Sequence, residues 1–231
     1  MRRVCFIFLT VSCIFCLIFG FRCKNSTVET VYPHFFSDTV LVIDAGHGGE
    51  DGGASSVNGA LESHINLAVS KRLELVLGLF GVPMMPLRES DISLHDRDAQ
   101  TLRQKKVSDL NNRVKMVREQ TNPILLSIHQ NSYPDSRYSG AQVFYAPTQG
   151  SRELAQILQE SLRLALNPIN TRQEKQIQDT IFLMNHISCP GVLVECGFLT
   201  NPREEQMLRD PAYQTKVAMA LAGGYLQSVH T

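Results

Sequence analysis

The chain has 231 residues, 43% of them hydrophobic, and its 22 Lys and Arg balance 22 Asp and Glu. That length and apolar content support one substantial core, and no Pro/Ser-rich linker, charge run or internal repeat divides it. The balanced charge, without a basic stripe, argues against nucleic acid as a partner.

The N-terminus reads MRRVCFIFLTVSCIFCLIFGFRCKNS. Arg2 and Arg3 precede an uncharged apolar run from Val4 to Phe21, which Arg22 and Lys24 close. A run of 18 residues nearly spans a hydrocarbon core as a helix, and no small-x-small cleavage site follows it. Residues 1–23 are therefore expected to be a hydrophobic helix acting as signal or membrane anchor, the anchor preferred, with 24–36 a linker and 37–231 the folded domain. The leading arginines place the N-terminus in the cytoplasm and the domain outside it. From Cys23 onward 19 basic residues face 22 acidic ones, because Arg2, Arg3 and Arg22 lie before that point. Of six cysteines, only Cys189 and Cys196 lie in the domain. If they flank one strand they stand roughly 23 Å apart, too far for a disulfide.

Within the domain, apolar runs bounded by turn signals predict strands at Thr39–Ala45, Val82–Leu87, Pro123–Ile128, Ala141–Tyr145, Ile181–Met184 and Gly191–Val194. Helical periodicity predicts helices over Glu62–Phe80, over Asp109–Gln120 capped by Ser108, and from a Ser151 cap to about Leu166. Two more follow near Pro202–Leu208 and Ala212–Val229. Strands alternating with helices imply an α/β fold, a mostly parallel sheet covered on both faces.

The first strand runs into VLVIDAGHGGEDGGA, five glycines around His47. Glycine-rich turns between strand and helix often cradle phosphate. Here the spacing fits neither G-x-G-x-x-G nor G-x-x-x-x-G-K-[ST], no lysine follows, and Glu50 and Asp51 would repel an anion. The loop reads better as a mount for His47.

Three strands end in residues with chemistry: VLVIDA in Gly46-His47, PILLSI in His129-Gln130-Asn131, and GVLV in Glu195. The carboxyl ends of parallel strands share one rim, where ligands bind, so two histidines and a carboxylate converge. Glu62, opening the first helix after the Asn58-Gly59 turn, offers a third ligand. Two His and one Glu with a position left for water are a recurrent catalytic zinc set. Imidazole also suits copper and nickel, and two nitrogens with a carboxylate occur at non-haem iron, so ligand type favours zinc without singling it out. Glu195 closes an apolar central run, where an unpaired charge costs about 3–5 kcal/mol. Its neighbour Cys196 faces the opposite side of the strand and reads as core. His34, His64, His95, His186 and His230 read as ordinary loop or surface residues.

Taken together, IDAGHGGEDGGA, Glu62 opening ESHINLAVSKRLELVL, LLSIHQNS, GAQVFY and GVLVECGFLTNP resemble, in order, the motifs of the zinc-dependent N-acetylmuramoyl-L-alanine amidases that cleave bacterial peptidoglycan. LRQKKVSDLNNRVKMV, NSYPDSRYSGAQVFYAP and TRQEKQIQDTIFLMNH are most similar to the germination-specific spore-cortex branch. There the amidase strips peptide from muramic acid ahead of muramic-lactam formation. The resemblance implies a three-layer αβα domain with a mixed sheet, one Zn²⁺ per chain held by His47, Glu62 and His129, and Glu195 as the catalytic carboxylate. Gln130, Asn131 and Arg172 are candidates for substrate contact. The expected partners are peptidoglycan and, through the N-terminal segment, the membrane; a protein activator stays unidentified. One departure is Leu87-Arg88, where the family often carries Thr-Arg. Some family members plug their site with an inserted helix, but residues 151–180 hold only one helix of about four turns and a loop, so an open groove is expected. A zinc carboxypeptidase acting on the stem peptide, and a non-catalytic wall-binding protein on the same fold, remain as alternatives.

Overall fold

In the structure, a computed structural model that describes residues 38–229, the first strand β1 (Val40–Ala45) is buried along nearly its whole length, as a strand covered on both faces must be. The anchor or signal expected over 1–23 and the linker over 24–36 lie outside the described residues. After β1 come α1 (Glu62–Gly78), β2 (Met84–Pro86), α2 (Leu102–Arg118), β3 (Pro123–Asn131), β4 (Gln142–Tyr145) and α3 (Ser151–Leu166). The chain continues through β5 (Lys175–Gln176), α4 (Phe182–His186), β6 (Gly191–Phe198), α5 (Pro202–Arg209) and α6 (Pro211–Ser228). Among the described residues no helix is long and apolar enough to cross a membrane.

The strands form one mixed sheet in the order β2-β1-β3-β6-β4-β5. β2, β1, β3 and β6 run parallel, while β4 pairs antiparallel with β6 and carries β5 parallel to itself. Alternation along each strand sends side chains to two cores. Leu41, Ile43, Leu126, Ile128, Val192 and Val194 pack with α1, α3 and α6 on one face. Val42, Leu125 and Leu193 pack with Val114 and Val117 of α2 and Leu183 and Met184 of α4 on the other. The expected αβα layering is therefore present.

Several local expectations are corrected. Ile181–Met184 is not a strand: Phe182–His186 forms the short helix α4, with Asn185 Nδ2 donating to the carbonyls of Gln178 and Ile181. A short apolar run without alternation fits either state, and here the turn before it closes a helix. α2 starts at Leu102 rather than Asp109. Thr101 caps it in a reciprocal box with Gln104, whereas Ser108 bonds Asp96 instead. α3 is capped by Gly150, and the Ser151 hydroxyl accepts from Gly191 N, tying the helix to β6. The two-residue β5 is too short and polar to give a periodic signal. Cys189 and Cys196 are both buried free thiols, as expected.

Candidate metal centre

Parity along the strands decides which side chains meet at the rim. His129 continues the row Leu125–Ser127 and Glu195 the row through Leu193, so both leave the sheet on the face of α2 and α4. In the β3–β6 register they stand opposite one another. β1 reaches the same rim, and there the chain turns with His47 at φ 63, a left-handed conformation uncommon for a residue with a side chain. Strain of this kind persists where the surroundings hold it.

Two buried arginines do the holding. Arg88 donates from Nε to the Ala45 carbonyl at 2.7 Å and from Nη2 to those of Gly46 and Ser63 at 3.1 and 2.8 Å. Arg113 donates from Nη2 to the His47 carbonyl at 2.7 Å and from Nη1 to that of Ala45 at 3.2 Å. Its charge is met by Asp44 and by Asp109, the latter at 2.7 Å. Burial opposes ionisation of Asp44, but the Arg113 guanidinium, His129 and the Ser127 hydroxyl hold its pKa below the ordinary value. Three consecutive carbonyls, those of residues 45, 46 and 47, are thus fixed from beneath. Leu87, the departure from the family pattern, is packed in the α2 core at 2% exposure, while Arg88 keeps its clamp.

The loop after His47 folds back to deliver Glu62. Glu62 N donates to the Ala54 carbonyl and Ser63 N to that of Gly52, which sets the start of α1 under the glycine turn. His129 Nδ1 lies 2.8 Å and His47 Nε2 3.3 Å from Glu62 Oε1. One ligand atom from each of His47, Glu62 and His129 lies within 4.8 Å of the other two. Glycine is required for this approach at two places. A Cβ at Gly46 would sit 2.2 Å from the His129 ring, and one at Gly53 would sit 2.6 Å from Glu62 Oε2.

Two of the ligand candidates, His47 and Glu62, have partners of their own that orient them, as metal-binding residues commonly do. Asp51 Oδ2 bonds His47 Nδ1 at 2.9 Å and also meets the Lys106 ammonium. Glu62 accepts from Ala54 N, Gln130 N and Asn66 Nδ2. Burial works against a charged His47, but Asp51 and Glu62 outweigh it and raise its pKa to about 9. The same contacts, dominated by the histidines once burial is overcome, hold Glu62 ionised far below its ordinary range. Two imidazole nitrogens turned on one ionised carboxylate oxygen fit a divalent cation.

Glu195 differs from all of these. Its Oε2 is buried without a hydrogen-bond partner, and burial raises its pKa to about 7, with His129 opposing and Glu62 adding to the rise. Such a carboxyl exchanges a proton near neutral pH. A cavity of about 420 Å³ opens beside Glu195, His47, Glu62 and His129; Leu110, Ile181 and Phe182 give it an apolar wall and Lys106 a charged edge. α3 packs on α6, away from this mouth, and both imidazoles keep about one-fifth of their surface exposed. The groove is open, as the length of residues 151–180 requires.

The remaining sequence candidates divide. Asn131 lines the cavity. Gln130 also borders the cavity, but its side chain turns to the other face, where Nε2 donates to Asn66 Oδ1 at 3.1 Å. Arg172 sits beyond β4, donating to Gln142 Oε1 and the Ser139 carbonyl. Sequence reasoning missed Arg88, Arg113, Asp51 and Lys106 as parts of the centre. His64 bonds Asp91, His95 bonds Ser93 and His186 stacks on Phe182, all apart from the ligands; His34 and His230 lie outside the described residues.

Known proteins resemble this chain in sequence and in fold. Over 222 residues, 95% of this chain and 92% of its relative, the sequence is 35% identical to the germination-specific N-acetylmuramoyl-L-alanine amidase of Bacillus subtilis. It is 27% identical to the N-acetylmuramoyl-L-alanine amidase AmiA of Escherichia coli, over 83% of this chain and 76% of that one. The fold superposes on the CwlD amidase of Clostridioides difficile, solved in complex with the GerS lipoprotein, with a TM-score of 0.78 and 36% identity over 84% of this chain and 98% of that one. The family model for N-acetylmuramoyl-L-alanine amidase matches residues 41–227, from β1 through α6, and the chain therefore belongs to the N-acetylmuramoyl-L-alanine amidase family.

Proposed function

We propose that this amidase hydrolyses the amide between N-acetylmuramic acid and L-alanine in peptidoglycan, with one Zn²⁺ held by His47, Glu62 and His129. The observation that carries the reading is the pairing of a three-residue ligand set with a protonatable carboxyl, Glu195, at one cavity. Bound there, zinc would supply Lewis acidity toward the lactyl carbonyl and lower the pKa of a coordinated water toward about 7.

Glu195 accepts the proton of the attacking water on its otherwise unpartnered carboxylate and returns it to the leaving L-alanine amine. Asp51 keeps the His47 ring turned with Nε2 toward Glu62. Arg88 and Arg113 hold the backbone that carries His47, so the placement of that ring does not have to be assembled when substrate arrives. Asn131, which lines the cavity, contacts substrate on this reading; Gln130 supports Glu62 through Asn66.

A role in the spore cortex, stripping peptide ahead of muramic-lactam formation, is supported by the germination-specific relative. Action outside the cytoplasm follows from that substrate, with residues 1–23 as anchor or signal. The lipoprotein bound to the Clostridioides difficile amidase supports a protein partner for this chain as well. Mass spectrometry of digested peptidoglycan tests the reaction: intact stem peptides with a free N-terminal alanine are expected. Release of only terminal amino acids would point instead to a carboxypeptidase, and binding without any release to a non-catalytic wall protein.

A further inference from the structure

The cavity beside the ligands accounts for one side of the centre. On the other side, beyond β6 and β4, the rim carries an aromatic ledge. Tyr133 and Tyr138, 48% and 45% exposed, have ring centroids 4.6 Å apart at a tilt of 57°. Tyr138 leans on the buried Phe198 at 6.2 Å. The Arg172 guanidinium lies over the Phe198 ring at 4.7 Å and over Tyr138 at 5.8 Å.

This ledge is tied to the reaction centre by strand register. Phe198 pairs with Asn131, two residues past His129, and Gln142, which Arg172 holds at 3.0 Å, pairs with Glu195. The loop bearing the tyrosines is pinned rather than loose: Asn201 Nδ2 donates to the carbonyls of Ser136 and Tyr138, Tyr133 N donates to Thr200, and Gly140 N donates to the buried Glu204. Arg172 spends Nε and Nη1 on Ser139 and Gln142, which leaves Nη2 without a hydrogen bond among the described residues. Next to it lies a hollow of about 550 Å³, lined by Tyr138, Ile169, Asn170 and Arg172.

We propose that Tyr133, Tyr138 and Arg172 form a subsite for the glycan backbone of the substrate. The proposal rests on the reading of the reaction given above. A muramoyl amide held at His47, Glu62 and His129 has two arms, a peptide and a sugar chain, and they must leave the centre in different directions. The apolar cavity walled by Leu110, Ile181 and Phe182 fits the peptide side. Exposed tyrosine faces with a guanidinium alongside match a sugar, whose rings present C–H faces to aromatic surface and hydroxyls to donors. The rigid loop keeps the rings in place before binding, which lowers the ordering cost.

The test is binding of the full chain to peptide-free glycan strands, which contain no scissile amide. Wild type is expected to bind, and Tyr133→Ala and Tyr138→Ala each to bind about five- to tenfold more weakly, the scale of one lost aromatic contact. Tyr138→Phe should restore binding, since the ring face is kept. Melting temperature and metal content of the alanine variants, unchanged from wild type, show that the loss is local. Strands that fail to bind wild type, variants that bind as wild type does, or variants that lose binding only together with fold or metal would each overturn the subsite. Peptide release from intact peptidoglycan by wild type, measured separately, reports on the reaction itself, so a failed subsite leaves that reading standing.

Discussion

Glu195 stands across from His129 in the β3–β6 register, yet the two have opposite electrostatic fates. His129 reaches Glu62 Oε1 at 2.8 Å, while Glu195 keeps a buried Oε2 with no partner. Adjacent strands thus deliver one residue into the candidate ligand cluster and hold the other beside it with its proton affinity raised.

That placement has a consequence for stability. The Glu195 pKa is about 7 in the folded protein against an ordinary 4.5, so the folded state binds more protons between those values. Stability from this group is full below about pH 4.5 and is lost as pH rises through 7. In chelator-treated protein, Glu195→Gln removes the penalty and should be more stable than wild type at pH 8, by up to about 3 kcal/mol, with the difference vanishing near pH 4.5. Denaturant titrations at the two pH values check this; a variant less stable at pH 8 contradicts it.

Asp51 acts on the centre through His47. Asp51→Ala should weaken metal binding by about 10- to 100-fold while the fold survives, the usual cost of removing the partner that orients a ligating histidine. A competition titration with a zinc chelator measures the change, and an unaltered affinity would mean that the glycine loop alone orients the ring.

Arg113 is a different case, because its removal leaves two buried carboxylates, Asp44 and Asp109, without their cation. Arg113→Ala is expected to cost about 3–5 kcal/mol of folding stability. Arg113→Lys should rescue only part of it, since a single ammonium cannot meet Asp44, Asp109 and the carbonyls of Ala45 and His47 together. Equal stability of wild type and Arg113→Ala would show that the clamp is not needed.

How much of this was legible in the sequence follows from the physics of each part. His47, His129 and Glu195 were legible because parallel strands put their carboxyl ends on one rim and each of these residues follows an apolar run. Glu62 was legible by type, but its position depends on the loop folding back through the Ala54 and Gly52 carbonyls, which no spacing announces. Arg88 and Arg113 were hidden because their partners are mainly backbone carbonyls and, for Arg113, the distant Asp44; the Asp109–Arg113 pair at i,i+4 reads as an ordinary helix-surface ion pair. The start of α2 lies in the Thr101-x-x-Gln104 capping box, a signal with which Ser108, an equally good cap by residue type, competes. Ile181–Met184 carries no period to separate strand from helix.

For the N-terminal segment, the long uncharged run between arginines leads to an uncleaved anchor, with the domain outside the cytoplasm. N-terminal sequencing of the mature protein should return residues ahead of Val4, and the protein should remain with the membrane fraction after a salt wash. A mature start near Lys24 would make it a secreted, cleaved form.

The central claim is that His47, Glu62 and His129 hold the metal while Glu195 moves the proton. Elemental analysis of purified variants alongside peptide release from peptidoglycan tests it most directly. Glu195→Ala should keep about one zinc per chain and lose turnover by at least about 100-fold, whereas His47→Ala, Glu62→Ala and His129→Ala should lose zinc and turnover together. Zinc lost from Glu195→Ala, or zinc and activity both kept in any of the other three, would contradict the assignment.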